Sequence, residues 1–366
     1  MIPVSSELAS IIRAGGFHRE YVADLIVDGQ RVLEDVPLGS CELKSDGNAK
    51  VRTQGRAVFE YTDAWGASIL PEDVTSWLTP YASYLNVSMR VTAGGVSEKV
   101  LRGVLKIVAV SDPVGPRTGF QQRLITVGSR VSLQLADAFS TTDRERFIAP
   151  SGPQDLSSTW AEIGRLTGLP LLRNVPDSGI TRAVTYQENR LDAVFDLAAI
   201  LGGTPYVNPE GKVTIQPDVS GDATEKLSMG PDGTVTSATP SDLTDEGIYN
   251  QVVVRTHDDS QSVVLATAEV ESGPLRYGGP FGRVPFFASS QYVTSVEQAR
   301  QYAVEQLARV SAVSSMAYSI TCLPDPRREV GDVVPFEVDG RTLVGRIQEI
   351  TLAAAGLMSL KVATGG

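Results

Sequence analysis

The segment 21-YVADLIVDGQRVLEDV-36 is the clearest indication of how this chain folds. Two runs of mainly apolar and β-branched residues lie on either side of the dipeptide Asp28-Gly29. Asp-Gly between such runs is typical of a tight β-hairpin, because the favoured two-residue turn requires positive φ at both central positions. The segment predicts two antiparallel strands, and a short helix from about Ser5 to Arg13 is predicted before them.

Further strand-like segments follow the hairpin, and each is rich in apolar and β-branched residues. They cover residues 40–45, 51–61, 84–91, 99–111 and 122–136. Asp46-Gly47 and Gly94-Gly95 mark turns between them. Consecutive strands of this kind predict a barrel or a sandwich, because a closed sheet exposes no unpaired strand edges.

The middle of the chain changes to a helical pattern. Thr159 and Glu162 have the spacing of a capping box at the start of 160-WAEIGRLTG-168, and a second helix is bounded by Asn189 and Gly202. Strand-like segments at 181–186 and 205–217 accompany these helices, which predicts a small α+β module. The polar, turn-rich stretch 218–247 is predicted to be a surface connection.

The β pattern returns in the last third of the sequence. Strands are predicted within 249–258, 263–271, 316–323 and 357–363, with a hairpin in 333–352 that turns at Asp339-Gly340. The predicted fold is mainly β with an α+β insertion. Its predicted domains are an N-terminal β-barrel at 1–140, an α+β domain at 141–217 and a C-terminal β-barrel with one helix at 218–366.

An aromatic loop precedes the helix of the C-terminal domain. The loop contains Pro280, Phe281, Phe286 and Phe287 between several glycines, and Thr294 with Glu297 predicts a capping box for the helix. Exposed aromatic side chains on such a loop favour a docking surface. The alternative is a loop that folds its rings back over its own core.

Composition limits the classes of function. The chain has 43 acidic and 32 basic side chains and a formal net charge of −11, which argues against a protein that grips nucleic acid through its phosphates. A surface of like charge would still let nucleic acid pass without binding it. Cys41 and Cys322 are far apart, which predicts two reduced core thiols, and neither a membrane-spanning run nor a signal peptide is recognisable.

The sequence lacks the usual signatures of catalytic and metal sites. Its two histidines, His18 and His257, exclude a histidine-rich metal centre, and no nucleophile elbow, phosphate-binding loop or dinucleotide fingerprint occurs. The acidic stretches 241–247 and 255–260 lack the order of a calcium loop and are predicted to be solvated turns. No metal or cofactor is therefore expected. Arg327 and Arg328 are predicted to lie either in a solvated turn or in salt bridges at an interface.

Several segments in a fixed order resemble the tail hub proteins of actinobacterial long-tailed phages, which are usually named minor tail proteins. The resemblance is carried by 249-YNQVVVRTHD-258, 273-GPLRYGGPFGRVPFF-287, 294-TSVEQARQYAVEQLARV-310 and 323–362, and the segments 24–52 and 186–217 are similar as well. It implies a fold of the baseplate-hub type, with two tube-like β-barrel domains joined by α+β material. It further implies that three copies form a ring with pseudo-sixfold symmetry.

The resemblance implies a non-enzymatic structural protein of a phage tail tip. A homotrimer would join the tail tube or a distal tail protein to a spike or fibre protein and line the channel through which phage DNA passes without specific binding. Its location would be the virion tail tip, after assembly in the host cytoplasm. The candidate protein-interface residues are Pro280, Phe281, Phe286, Phe287, Arg327 and Arg328.

Two other classes of function remain open at the level of sequence. One is a carbohydrate-binding module for the bacterial surface, with Trp65, Trp77 and the aromatic loop as stacking groups. The other is a cell-wall hydrolase that uses paired carboxylates. No motif of a lysozyme or peptidase domain occurs, so enzymatic activity is not expected.

Overall fold

The protein consists mostly of strands, as the sequence predicts. The computed structural model describes residues 1–61, 69–115, 117–120, 123–126, 128–180, 184–217, 221–231, 233–241, 248–255, 263–289, 295–311 and 317–364. The helices within these residues are α1 Ser6–Ala14, α2 Phe139–Arg144, α3 Thr159–Thr167, α4 Arg190–Ile200 and α5 Val296–Val310. The strands are β1 His18–Val27, β2 Gln30–Asp46, β3 Thr53–Tyr61, β4 Ser83–Ala93, β5 Val96–Val114, β6 Arg117–Phe120, β7 Arg123–Thr126, β8 Ser129–Ala136, β9 Gly203–Val207, β10 Val213–Pro217, β11 Val235–Pro240, β12 Gln251–Arg255, β13 Val264–Glu269, β14 Pro285–Ser289, β15 Ala317–Cys322, β16 Val333–Val338, β17 Arg341–Ala353 and β18 Met358–Thr364.

The N-terminal strands form a closed barrel. β1, β4, β5, β8, β3 and β2 pair in that order, and β2 pairs with β1 as well. The turn between β1 and β2 confirms the predicted hairpin, because Asp28 and Gly29 have φ of 48° and 75°. Ser5 caps α1, which packs its buried Leu8 and Ile12 on the same core.

The C-terminal strands form a second ring that shares β2 with the first. Residues 42–46 at the end of β2 pair with the end of β17, and the pairing continues through β18 and β15 to β11. β16 pairs with the beginning of β17 across the predicted Asp339-Gly340 turn. The two β modules therefore belong to one continuous 11-stranded sheet.

The described parts of the stretch 218–247 contribute to this second ring, so they are more than the predicted surface connection. The Leu227 N–H donates to the Pro335 carbonyl at 2.8 Å, and the Val235 N–H donates to the Ser228 carbonyl at 3.0 Å. These bonds join β16 to β11, and the Leu227 side chain is buried in the core. The prediction failed because polar turn residues hide the short apolar segments between them.

Both rings contribute to one cluster of buried side chains. Tyr21 of β1 is fully buried, and its hydroxyl donates to the Leu352 carbonyl of β17 at 2.9 Å. Cys41 and Cys322 are buried free thiols in the same cluster, which confirms the predicted core cysteines. Burial raises the pKa of each thiol to about 12, so both stay protonated at neutral pH.

The middle of the chain has a core of its own, built from α2, α3, α4 and the β9–β10 hairpin. Asn189 caps α4 as predicted, but α3 begins one residue earlier than predicted, because Ser158 is its N-cap and accepts the Ala161 N–H. Glu162 therefore does not close a capping box with Thr159. Its buried carboxylate instead accepts hydrogen bonds from Arg165 and the Tyr186 hydroxyl.

The predicted strand at 181–186 is not observed in the part of it that the structure describes. Residues 181–183 lie outside the described residues, and Tyr186 forms an isolated antiparallel bridge with Ser151. A third small core lies between α5 and the β12–β13–β14 sheet. The division into domains at 1–140, 141–217 and 218–366 remains a proposal. The three clusters of buried residues do not follow its bounds, because the largest combines residues of the first and third segments.

Asp137 links β8 to α2 and provides a pH-dependent contribution to stability. Burial raises the pKa of its carboxyl to about 6, against the hydrogen bonds from the backbone N–H groups of Thr53 and Phe139. The folded state therefore holds a proton that the unfolded state releases between about pH 4 and pH 6, and stability falls as pH rises through this window.

We expect the free energy of unfolding of the wild type to fall by about 2–3 kcal/mol relative to Asp137→Asn between pH 4 and pH 6. The asparagine side chain does not titrate, so other titrating groups cancel in the difference. Urea unfolding of both proteins at each pH measures it. Parallel pH profiles for the two proteins would contradict the assignment to Asp137.

Candidate protein-interaction surface

The candidate surface is built on the small sheet β13–β12–β14, in which β14 runs parallel to β12. α5 covers one face of this sheet with Ala299 and Ala303, both fully buried, which pack on alternate strand residues such as Val252 and Val254. Small side chains at these helix positions allow close approach of helix and sheet. Residues that alternate with Val252 and Val254 lie on the opposite face of the sheet.

Asn250 holds the aromatic loop on this sheet. Its fully buried side-chain amide donates to the carbonyls of Leu275 and Gly282, each at 3.0 Å, and its oxygen accepts the Val284 N–H at 2.9 Å. Gly278 and Gly282 have φ of 70° and 93°, in the left-handed region that favours glycine. The loop is thus fixed by satisfied hydrogen bonds rather than by its aromatic rings alone.

The three phenylalanines of the loop have different surroundings. Phe286 lies on the face that α5 covers, and its ring meets the Tyr249 ring edge-on with centroids 5.2 Å apart. Phe281 is half-buried and Pro280 is exposed. Phe287 lies on the opposite face, is 53% exposed, and carries the Arg255 guanidinium 4.0 Å from its ring centroid. The loop therefore both closes a core through Phe286 and presents an aromatic side chain through Phe287.

Arg327 and Arg328 are not surface residues, so the structure corrects both readings of this turn. Their exposed fractions are 4% and 3%. Arg327 donates to both carboxylate oxygens of Asp325, at 2.9 Å each, and to both oxygens of Glu225, at 3.2 and 2.7 Å. Arg328 donates to the Glu225 carbonyl at 3.1 Å. Both guanidinium groups are used within the chain.

Arg327 and its two carboxylate partners, Asp325 and Glu225, stabilise each other in their charged forms. Burial by itself would lower the pKa of Arg327, but the hydrogen bonds and charges of Asp325 and Glu225 outweigh it and raise the pKa. The hydrogen bond from Arg327 in turn holds the pKa of Glu225 below its ordinary value. The turn therefore locks residues 325–328 to the segment that completes the second ring.

Other residues singled out in the sequence have separate positions. Ser295, not Thr294, is the N-cap of α5 and accepts the Gln298 N–H, while Thr294, Trp65 and His257 lie outside the described residues. Trp77 is 42% exposed, in a loop before β4 that is remote in sequence from the aromatic loop.

Within the described parts of the chain, no group of three or more His, Cys, Asp and Glu side chains could hold a metal ion. Among the helices that the structure describes, none is both long and apolar enough to cross a membrane.

Comparison with known proteins identifies the fold. The structure matches a tail protein of Neisseria meningitidis with a TM-score of 0.61 and 12% identity, over 95% of this chain and 97% of the other. The 43 kDa tail protein of prophage MuSo2 from Shewanella oneidensis matches with a TM-score of 0.57 and 14% identity, over 93% and 98%. The chain has the fold of phage tail proteins. No protein-family model and no curated protein sequence matches it.

A third tail-fold relative supports the same conclusion. A prophage tail protein of Listeria monocytogenes matches with a TM-score of 0.50 and 11% identity, over 94% of each chain. The tail fold thus spans nearly the whole chain, and the resemblance found in the sequence is confirmed at the level of phage tail proteins. The actinobacterial origin of that resemblance remains a prediction.

The sequence analysis missed two residues that build the candidate surface, Asn250 and Arg255. Asn250 occurs in the quoted Tyr-Asn-x-Val segment, and a polar residue at the start of an apolar strand is a signal for a buried amide that binds a loop. Arg255 gives no such signal, because its partner Phe287 is brought beside it only by the parallel pairing of β12 and β14.

Asn250→Ala is expected to lower the free energy of unfolding by about 1–3 kcal/mol, since it leaves the buried Val284 N–H without its acceptor. Denaturant unfolding measures the loss, and limited proteolysis shows whether cleavage begins in residues 273–284. Gln251→Ala is a matched control, because Gln251 neighbours Asn250 and its amide makes an exposed bond to Glu269. Equal stability of the two variants would contradict the role given to Asn250.

Proposed function

We propose that this protein is a non-enzymatic structural component of a phage tail tip, a hub that forms a homotrimeric ring. The ring joins the tail tube or a distal tail protein to a spike or fibre protein, and phage DNA passes through it. The observation that carries the proposal is the likeness to tail proteins over 95% of this chain and 97% of the Neisseria protein. The virion is therefore its proposed location, after assembly in the host cytoplasm.

Two features of the chain support this function. Two closed or nearly closed strand rings in one chain provide six rings in a trimer, which suits a tube of sixfold symmetry above a threefold tip. The net charge of −11 favours a path that does not retain DNA. Both features concern assembly, and neither requires a cofactor.

We further propose that Phe287, Arg255 and Pro280 contact a neighbouring hub copy or the next tail protein. Phe287 is a large exposed aromatic residue, and aromatic and arginine side chains are enriched where protein interfaces are most tightly buried. The cation–π contact with Arg255 holds the ring in one orientation before binding. Phe286 packs on the face that α5 covers, opposite this surface.

Light scattering over a range of concentrations tests the ring, with a mass near three times 39.1 kDa expected. Phe287→Ser should shift the association to higher concentration. Val344→Ser is the matched control, since Val344 is 52% exposed on the second strand ring, against 53% for Phe287. Equal association of the two variants would contradict the role of Phe287.

Two further results would overturn the hub proposal. A monomer at every concentration that glycans protect from unfolding would favour the carbohydrate-binding module, and exposed Trp77 and Tyr81 would be its first residues to test. A cleared band against purified cell wall would show a hydrolase. Neither result is expected from a tail-fold protein of this kind.

A further inference from the structure

A second feature, unrelated to the aromatic loop, is an arginine whose guanidinium lines a cavity and has no hydrogen-bond partner among the described residues. Arg52 precedes β3 and is 6% exposed, yet its guanidinium makes no hydrogen bond or ion pair with any residue that the structure describes. It stacks on the Tyr206 ring, with the guanidinium carbon 4.1 Å from the ring centroid. Burial lowers the pKa of Arg52 to about 10, so the group is still charged at neutral pH.

Arg52 lines a cavity of about 40 Å³ where three parts of the protein meet. Thr53 and Arg102 belong to the first barrel, Tyr206 to the α+β module, and Glu329 to the chain before β16. Arg102 donates through Nη1 to the carbonyls of Pro326 and Arg328, but its Nε is buried and has no partner in the described residues. Two guanidinium groups therefore bring unused donors to one cavity.

The two carboxylates that line the cavity are already engaged by other donors. Asp137 accepts the backbone N–H groups of Thr53 and Phe139 on separate oxygens, at 2.8 and 3.0 Å. Glu329 has one oxygen 3.4 Å from the Met1 amine. Both carboxylates offset part of the positive charge of Arg52. Neither forms an ion pair with it, since their oxygens lie more than 4.0 Å from its guanidinium nitrogens.

We propose that this cavity binds a small oxyanion through Arg52 and Arg102. Arg102 Nε is a buried donor without a partner, Arg52 has donors that no described residue accepts, and guanidinium donors match the geometry of planar or tetrahedral oxyanions. A single water needs about 10–15 Å³ of such space, so 40 Å³ accommodates a group of a few heavy atoms. The ligand class is thus sulfate, phosphate or a simple carboxylate.

The bound anion would pair with Arg52 and Arg102, which both belong to the first barrel, and the Tyr206 ring and Glu329 would line other sides of its cavity. It would act as a structural ligand. The cavity exists only where the modules meet, so a bound anion would stabilise their docked arrangement. This inference does not rest on the hub function. Failure of trimer formation would leave it untouched, and failure of anion binding would leave the hub proposal untouched.

Isothermal titration of the full chain with sodium sulfate, in buffer of constant ionic strength made up with chloride, tests the proposal. Wild type is expected to bind one sulfate per chain with a saturable heat. Arg52→Gln is expected to weaken binding about tenfold or more, because it removes the charge and most donors. Arg56→Gln, at an exposed position on β3, is the matched control and should bind like wild type.

Three results would overturn the proposal. These are absence of saturable heat in wild type, equal binding by Arg52→Gln, and equal loss in Arg56→Gln. If Arg52→Gln does not fold, Arg102→Gln provides the second variant, and it should also weaken sulfate binding while its circular dichroism stays that of wild type. Unchanged sulfate binding by a folded Arg102→Gln would remove Arg102 from the site and contradict the proposal as stated.

Discussion

Replacing Arg327 by methionine is expected to lower the free energy of unfolding by about 3–5 kcal/mol. Arg327 forms four hydrogen bonds with the carboxylates of Asp325 and Glu225. Glu225 is partly exposed and can be rehydrated, but Asp325 is 7% exposed and would be left buried without an arginine hydrogen bond, keeping the backbone N–H of residue 327 and the weaker contact to Arg328. An uncompensated buried charge is the reason for the size of the effect.

Denaturant unfolding at pH 7 measures this loss, and Arg341→Met is the control because Arg341 is exposed at the start of β17. The hydrogen bond from Arg327 lowers the pKa of Glu225 from its ordinary 4.5. The Glu225 part of the stabilisation is therefore present above pH 4.5 and is lost as pH falls through the lowered pKa. The difference between wild type and Arg327→Met should shrink on acidification. A loss no larger than that of Arg341→Met would contradict the buried-pair account.

Trp160→Ala is expected to cost about 3–5 kcal/mol in the α+β module, because Trp160 is the largest fully buried side chain of the described residues. The side chain fills the core under α3 and α4, and its indole N–H donates to the Val175 carbonyl at 3.1 Å. Truncation removes apolar burial, opens a cavity and leaves that carbonyl without its donor.

The same variant tests the proposed domain at 141–217. The buried cluster around Trp160 is separate from the cluster that the two strand rings share. If the module is an independent domain, Trp160→Ala should give two unfolding transitions. Hydrogen exchange should show that the amides of the α+β module lose protection in the earlier one. Trp77→Ala is the control, since Trp77 is an exposed tryptophan outside the module. One shared transition that shifts as a whole would contradict an independent domain.

Local chemistry explains which predictions succeeded. The Asp28-Gly29 and Asp339-Gly340 turns and the Asn189 cap depend on residues adjacent in sequence, and all are observed. The N-caps of α3 and α5 each lie one residue from the predicted position, because Ser and Thr stand side by side there and either hydroxyl can serve as the cap.

Contacts between distant segments explain which predictions failed. Arg327 and Arg328 have the composition of a solvated turn, and only the approach of Glu225, about a hundred residues away, makes them a buried cluster. The segment 218–247 has the composition of a linker, and only backbone pairing with β16 reveals its part in the second ring. Likewise, strand alternation places two adjacent phenylalanines on opposite faces of the sheet, with Phe286 facing α5 and Phe287 facing outwards.

The sequence by itself determined the mainly β class, the hairpins, the starts of α1, α3, α4 and α5 to within one residue, and the buried free cysteines. Each follows from backbone preferences or from hydrophobicity, which act over a few residues. Only the tertiary structure decided that β2 joins two rings into one sheet, that Arg327 is internal, and that Arg52 meets Arg102 at a cavity. These features depend on which distant groups approach one another. The free energy of burying a charge is set by the groups that surround it in space, not by the residues next to it in sequence.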